Sequence, residues 1–275
     1  MINLNNFITE KFNNANKGDE FYTRLKDIER CMPEFGYNFK NKVVYCNCDD
    51  PSFSKFYQYF HDNFSKLGLK LLYATYYDDK PMCYEYDGNE EKKTPIESGD
   101  FRENGDIMDK CDIVVTNPPF SQDLPYQLAD MCIQRKKKYI FLCKGNWFSH
   151  KKPFELYKKG KLNVGSKEVG TFDGPNSTTH VACYWFTNVP LKKDKLQLTQ
   201  KFDAAKYPKY ANYDAIECKN YKDIPADYDG KIGVPVSFAK YLNREQFQII
   251  DSIAPKGKDG DPKKNYFQRL IIKLK

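Results

Sequence analysis

The tetrapeptide Asn117-Pro118-Pro119-Phe120 follows directly on Asp112-Ile113-Val114-Val115-Thr116, the most β-branched run in the chain. Two consecutive prolines fix φ and remove two N–H donors, so the loop is stiff and offers carbonyls as acceptors. The residue before a proline is pushed to an extended conformation, which holds the Asn117 side chain clear of any helix. An Asn side-chain oxygen and the Pro118 carbonyl can together accept from one amino group. Phe120 adds a flat face on which a base carrying that group can stack.

These are the needs of amino-group methylation. The 6-amino lone pair of adenine is delocalised into its ring, and acceptors that localise it as the nitrogen pyramidalises stabilise the transition state selectively. Transfer is then a direct in-line displacement on a sulfonium methyl, with no Cys or Ser nucleophile. A base inside a duplex has to be flipped out first. A lone tetrapeptide of this kind also reads as a rigid turn after a strand. Its place at the C-terminal end of a central strand of a β-α sheet, the usual ligand crevice, favours the chemical reading.

The elements around the loop read as repeated β-α units. Leu25, Ile28 and Met32 recur at helical spacing up to Pro33. Lys42–Cys48 reads as a buried strand closed by Asp49-Asp50-Pro51. Ser52 is expected to cap a helix with an aromatic face (Phe53, Phe56, Tyr57, Phe60, Phe64) that ends at Gly68, before a second strand over Leu69–Tyr76. Cys83–Tyr86 with Asp87-Gly88-Asn89 suggests a hairpin. A helix over Asp123–Lys136 and a strand over Tyr139–Cys143 follow the tetrapeptide, then a strand over Val181–Thr187. Ile232–Phe238 reads as a further strand and Arg244–Ile253 as a helix, with Pro255–Pro262 as a tether to a short amphipathic end. The expected fold is α/β: an open, doubly wound, mostly parallel sheet. The domain reading is 1–150 for the catalytic core, 151–230 for remaining core strands with a recognition insertion, and 231–275 for a closing strand and helix.

Composition sets outer bounds. The chain has 275 residues, 40% hydrophobic and 16% aromatic, with a net charge of +7, which permits a polyanionic partner without demanding one. Lys dominates the basic count, which suits phosphate contact better than base reading. Lys136, Lys137, Lys138, Lys151, Lys152, Lys158, Lys159 and Lys161 are the candidate DNA contacts, with a solvated rim as their other reading. Nine Cys without a CxxC pair, and three His far apart in sequence, argue against a zinc site and for reduced thiols in a cytoplasmic setting. No run approaches the roughly 20 apolar residues of a membrane span.

With these pieces in order, the chain resembles the class I methyltransferases, and more closely the EcoRI-type adenine-specific DNA methyltransferase family. The matching stretches are Asp19-Glu20-Phe21-Tyr22-Thr23, Val44–Pro51, Gly99-Asp100-Phe101-Arg102, Asp112–Phe120 and Ile232–Phe238. The resemblance implies a Rossmann-like sheet with one antiparallel strand, S-adenosyl-L-methionine (AdoMet) as cofactor and no metal. It implies sequence-specific methylation of adenine in double-stranded DNA. Asn117, Pro118, Pro119 and Phe120 would be catalytic. The turn Cys48-Asp49-Asp50-Pro51 would hold the methionine end of AdoMet, Asp78 the ribose, and Asp100 and Phe101 the adenine ring, with Tyr22 and Thr23 in the N-terminal cofactor-contacting segment. Most class I methyltransferases carry a Gly-rich turn after the first strand; Asp50-Pro51-Ser52-Phe53-Ser54 has none, and the EcoRI-type family is similar in lacking it. Helix capping is the competing reading of Asp49 and Asp50, and Asp79 competes with Asp78. Base-reading residues are sought in Asn176–Thr179 and Tyr207–Tyr213. A monomer is expected, with a cognate restriction endonuclease as a functional partner. The alternatives are methylation of an RNA guanine or a protein glutamine, whose enzymes use similar loops, and a non-catalytic DNA-binding module.

Overall fold

A computed structural model of the chain describes residues 22–76, 78–120, 123–173, 178–254 and 268–275. Asp19-Glu20-Phe21, Asn176, Ser177 and the Pro255–Pro262 tether lie outside the described residues. The chain divides into two units, residues 1–144 with 167–190, and residues 145–166 with 191–275.

The first unit is built on an eight-stranded mixed sheet of order β4-β3-β2-β1-β5-β6-β8-β7. Its strands are β1 (Val43–Asn47), β2 (Leu71–Thr75), β3 (Met82–Tyr86), β4 (Glu91–Pro95), β5 (Ile113–Thr116), β6 (Lys138–Lys144), β7 (Asn163–Asp173) and β8 (Thr178–Thr187). The central strands β2, β1, β5 and β6 are parallel, while β3, β4 and β8 join antiparallel. Strands β1 and β5 are buried along their whole length. Continuous apolar sequence, rather than alternation, is what a strand covered on both faces requires.

Helix α1 (Leu25–Cys31) precedes β1, and helices α2 (Lys55–Asp62), α3 (Phe64–Leu67), α4 (Gly105–Lys110) and α5 (Leu124–Gln134) connect strands of the sheet. Phe35, just after α1, and Phe56 of α2 both meet the ring of Trp185 on β8 edge-on, with centroids 5.8 and 5.9 Å apart. Trp185 is fully buried, so this aromatic cluster anchors both helices to the sheet. Gly68 ends α3 at φ +63°, a left-handed position that suits glycine. The residue capping α2 is Ser54, not Ser52: its hydroxyl accepts from the Tyr57 amide, while Ser52 turns back onto Asp50.

The second unit holds helix α6 (Lys151–Lys158) and a four-stranded sheet of order β11-β12-β10-β9. These strands are β9 (Ile216–Glu217), β10 (Ile232–Pro235), β11 (Phe247–Ile253) and β12 (Arg269–Leu274). Two expectations are corrected here. The strand from Ile232 stops at Pro235 and continues as a 3-10 turn over Val236–Lys240. The helix expected over Arg244–Ile253 is a strand: Phe247 and Ile249 are buried on either side of exposed Gln248, and the segment pairs antiparallel with β12. Phe247, Gln248 and Ile249 satisfy a two-residue period once a partner strand is present, and the register shifts between Ile249 and Asp251, where two apolar and then two polar residues follow one another. Among the described residues no helix is long and apolar enough to cross a membrane.

Candidate active site

The four parallel strands of the first unit end at one edge of the sheet, with Asn47, Thr75, Thr116 and Lys144 as their last residues. Asn117 leaves that edge from β5, next to the turn Cys48–Pro51 leaving β1. The Asn117 amide Nδ2 donates to Thr23 Oγ1 at 3.4 Å, which orients the amide, and its Oδ1 is itself buried. Pro118 is buried and Phe120 half-buried, and Lys144 Nζ lies 5.5 Å from the Phe120 ring centroid. A cation over an aromatic face helps hold the ring in place, worth about 0.5–1 kcal/mol at a partly wet site.

The turn after β1 is closely tied to its neighbours. Cys48 has φ +60°, the conformation for which glycine is usual, so a non-glycine residue here accommodates the left-handed turn. Asp49 is buried. Its Oδ1 accepts from Ser54 Oγ at 2.6 Å, and Thr116 Oγ1 lies 2.7 Å from its Oδ2. Burial pushes the Asp49 carboxyl up to about 7, and the Ser54 and Thr116 hydrogen bonds only partly oppose this. Asp50 accepts from the Ser52 amide and hydroxyl. These contacts bear on the capping reading of the acidic pair: Asp49 holds the cap residue Ser54, and Asp50 shapes the turn.

Tyr22 and Thr23 reach the same edge. Tyr22 bridges to Asp173 by two backbone hydrogen bonds and meets Phe53 edge-on at 5.0 Å. Asp78 is exposed past the end of β2, where its carboxylate accepts from the Lys80 amide. Burial and the Tyr84 phenol push Tyr76 up to about 12, with further contributions from Asp50 and Asp78, so the turns after β1 and β2 approach one another at Tyr76. Asp100 is paired with Arg102 through both carboxylate oxygens, and Phe101 beside it is buried.

The family model for the adenine-specific methyltransferase EcoRI matches residues 10–97 and 92–271. The chain is 36% identical to the Type II methyltransferase M.EcoRI of Escherichia coli, with 94% of each chain covered. The chain belongs to the EcoRI adenine-specific methyltransferase family. It is also 34% identical to the Type II methyltransferase M.MpnI of Mycoplasma pneumoniae and 32% identical to M.MgeORF184P of Mycoplasma genitalium, covering 88% of this chain and 86% of each of those proteins. No solved structure matches it significantly. The resemblance drawn from the residues is thus borne out, and the protein is an adenine-specific methyltransferase.

For such a methyltransferase the thiols near the edge are informative. Burial pushes Cys46, Cys48 and Cys143 well above the ordinary thiol range. A thiol raised in this way stays protonated more firmly, and the protonated form is a poor nucleophile.

The structure brings together Tyr22, Thr23, the Cys48–Pro51 turn and Asn117–Phe120, and adds three residues that the sequence alone did not single out. Thr116 links β5 to the turn after β1. Lys144 covers the Phe120 ring. Asn47 is fully buried, and neither polar atom of its side chain has a hydrogen-bond partner among the described residues. Asn47 lay hidden inside an apolar run, but a lone amide there was itself a signal, since a buried polar atom left unsatisfied costs about 1–3 kcal/mol. Lys136–Lys138 do not accompany this set. Lys138 pairs with Ile113 at the start of β5, whereas Asn117 leaves its end, so these lysines lie at the opposite edge of the sheet. Lys151, Lys152, Lys158, Lys159 and Lys161 belong to the second unit, exposed on α6 and the turn after it, opposite the buried face of Phe154, Leu156 and Tyr157.

Proposed function

We propose that this enzyme transfers a methyl group from AdoMet to the exocyclic 6-amino group of adenine within a specific sequence of double-stranded DNA, after flipping that nucleotide out of the duplex. The observation that carries the reading is Asn117-Pro118-Pro119-Phe120 at the C-terminal end of central strand β5, in a chain of the adenine-specific family. The parallel order β2-β1-β5-β6 and the antiparallel β8 beyond β6 support a Rossmann-like class I core. Methylation of an RNA guanine or a protein glutamine is not favoured in an adenine-specific family.

The residues at this edge fit AdoMet. Asn47 offers a buried amide for its polar methionine end, beside the turn of Cys48, Asp49, Asp50 and Pro51. Asp78 offers a carboxylate for the ribose hydroxyls, and Asp100 with Phe101 lines the place for its adenine, with Tyr22 and Thr23 closing the site. When bound, AdoMet supplies an electrophilic sulfonium methyl. Asn117 Oδ1 and the Pro118 carbonyl accept the two amino hydrogens of the target adenine and draw its nitrogen lone pair out of the ring. Phe120 stacks the flipped base. With AdoMet bound, the amino nitrogen would accept the methyl group and become positive where the two acceptors are aimed, and its excess proton would pass to solvent.

DNA is held, on this reading, by Lys151, Lys152, Lys158, Lys159 and Lys161, with target recognition in the second unit. Replacing Lys151, Lys158 and Lys159 together by Ala is expected to weaken binding of all sequences alike. The slope of log affinity against log salt should fall by up to about one for each phosphate no longer neutralised, measured by fluorescence anisotropy. A slope equal to that of the parent protein would remove these lysines from the interface. The Type II names of the relatives support a cognate restriction endonuclease as a functional partner. The reading as a whole is tested by incubating the protein with methyl-labelled AdoMet and duplex DNA, RNA or glutamine-bearing protein. N6-methyladenine in DNA is the expected product; label found only in RNA or protein would overturn it.

A further inference from the structure

At the junction of β1 and β5 there are more acceptors than hydrogens. Thr116 Oγ1 is within hydrogen-bonding distance of two oxygens, the Asn47 carbonyl and Asp49 Oδ2, but a hydroxyl carries one hydrogen. Ser54 cannot supply the missing one. Its oxygen accepts from the Tyr57 amide and its hydrogen is directed at the other carboxylate oxygen, Oδ1. With Asp49 ionised, either the Asn47 carbonyl or Asp49 Oδ2 would face the Thr116 oxygen with no hydrogen between them, in a buried site. One proton on Asp49 Oδ2 completes the chain: Asp49 donates to Thr116, and Thr116 donates to the Asn47 carbonyl.

We propose that Asp49 is a positioning residue for methyl transfer, held as a carboxylic acid, which through Thr116 sets the end of β5 and so the place of Asn117. The proposal rests on the reading of Asn117 as the acceptor of the target amino group. It moves Asp49 from a direct cofactor contact to a residue acting through its neighbour. The surroundings agree with a neutral acid. The groups facing Asp49 are the Ser54 hydroxyl from the start of α2, the Thr116 hydroxyl from β5, the Thr75 carbonyl of β2, which accepts from the Asp49 amide, and the protonated thiols of Cys46 and Cys48. None is a cation. Burial, the largest influence on the carboxyl, raises it to about 7, so the acid form prevails below neutrality and is lost as pH rises above it.

The Asp49→Asn variant separates this role from the alternatives. Its amide NH2 replaces the acid O–H as donor to Thr116, its oxygen still accepts from Ser54, and it cannot ionise. The single-turnover rate of methyl transfer and AdoMet affinity are measured from pH 6 to 8.5 for the parent protein, Asp49→Asn, Asp49→Ala and Thr116→Val. The parent rate is expected to fall at least about fivefold across this range, while Asp49→Asn stays within about twofold of its pH 6 value. Thr116→Val and Asp49→Ala are expected to lose about tenfold or more in rate with AdoMet affinity within about threefold. Carbon NMR of labelled aspartate carboxyls gives a readout that does not need methyl transfer: one carboxyl titrating near neutrality, absent in Asp49→Asn. Equal pH profiles for the parent protein and Asp49→Asn, affinity losses that track the rate losses, or no carboxyl titrating near neutrality would each overturn the proposal. A parent protein that shows this titration but methylates no DNA would instead fail the functional reading.

Discussion

Replacing Asn117 by Ala is expected to lower the single-turnover rate of methyl transfer by about 10²–10³-fold while leaving AdoMet affinity within a few-fold. The size follows from where the acceptor acts. The adenine amino nitrogen is planar in the ground state and becomes tetrahedral and positive in the transition state, so an oxygen aimed at its hydrogen gains most at the moment of transfer. Asn117 is suited to this because its orientation is set in advance. Thr23 holds the amide nitrogen, Pro118 restricts the backbone, and Thr116 ties the preceding residue to the neighbouring strand. The alanine variant keeps Pro118, Phe120 and the whole β1 turn, so cofactor affinity has little reason to change. Labelled-methyl transfer under single-turnover conditions, with AdoMet binding followed by calorimetry, makes the check. A variant rate within tenfold of the parent would remove Asn117 from the reaction.

The second large effect concerns stability. Replacing Arg269 by Met is expected to cost about 3–5 kcal/mol of folding stability, because it strands a buried carboxylate. Glu217 on β9 is 3% exposed, and Arg269 on β12 pairs with both of its oxygens, at 2.8 Å from Nη2 to Oε1 and 3.2 Å from Nε to Oε2. The Tyr210 phenol also donates to Glu217; burial, and then the neighbouring carboxylate, pushes that phenol far above its ordinary value. Gly233 makes the arrangement possible, since a Cβ there would overlap the Tyr210 hydroxyl. Urea unfolding followed by circular dichroism measures the cost. The double variant Glu217→Gln with Arg269→Met should recover much of the loss, as removing both charges leaves no buried ion. A single variant costing under about 1 kcal/mol would show that the pair is solvated in the folded protein.

Several features were legible in the chain because local physics decides them. The β-branched run Ile113–Thr116 can only be comfortable as a strand, and the two prolines after it must end that strand abruptly. Asp87-Gly88-Asn89 makes a hairpin turn wherever it is placed, and Gly68 stops a helix through its own backbone freedom. Features resting on partners distant in sequence were not legible. Nothing near Ser52 and Ser54 distinguishes the two as caps; Ser54 wins because it also bonds buried Asp49, which in turn meets Thr116 far along the chain. Phe247–Ile253 fits either period in isolation, and pairing with Arg269–Leu274 selects the strand. Lys136–Lys138 are close in sequence to Asn117–Phe120, yet a helix and a reversal of direction carry them to the far edge of the sheet.

By itself the sequence suggested the chemistry proposed for the loop and, through the order of its matching stretches, pointed to the family that the comparisons show. Asn-Pro-Pro-Phe after a buried strand limits both backbone and hydrogen-bonding options, and such limits act within a few residues. The tertiary structure alone decided what holds that loop in place: Thr23 on the Asn117 amide, Lys144 on the Phe120 ring, and Thr116 between Asn47 and Asp49. The last two join the ends of separate parallel strands, and parallel strands become neighbours only through crossovers whose outcome is set by packing of the whole sheet.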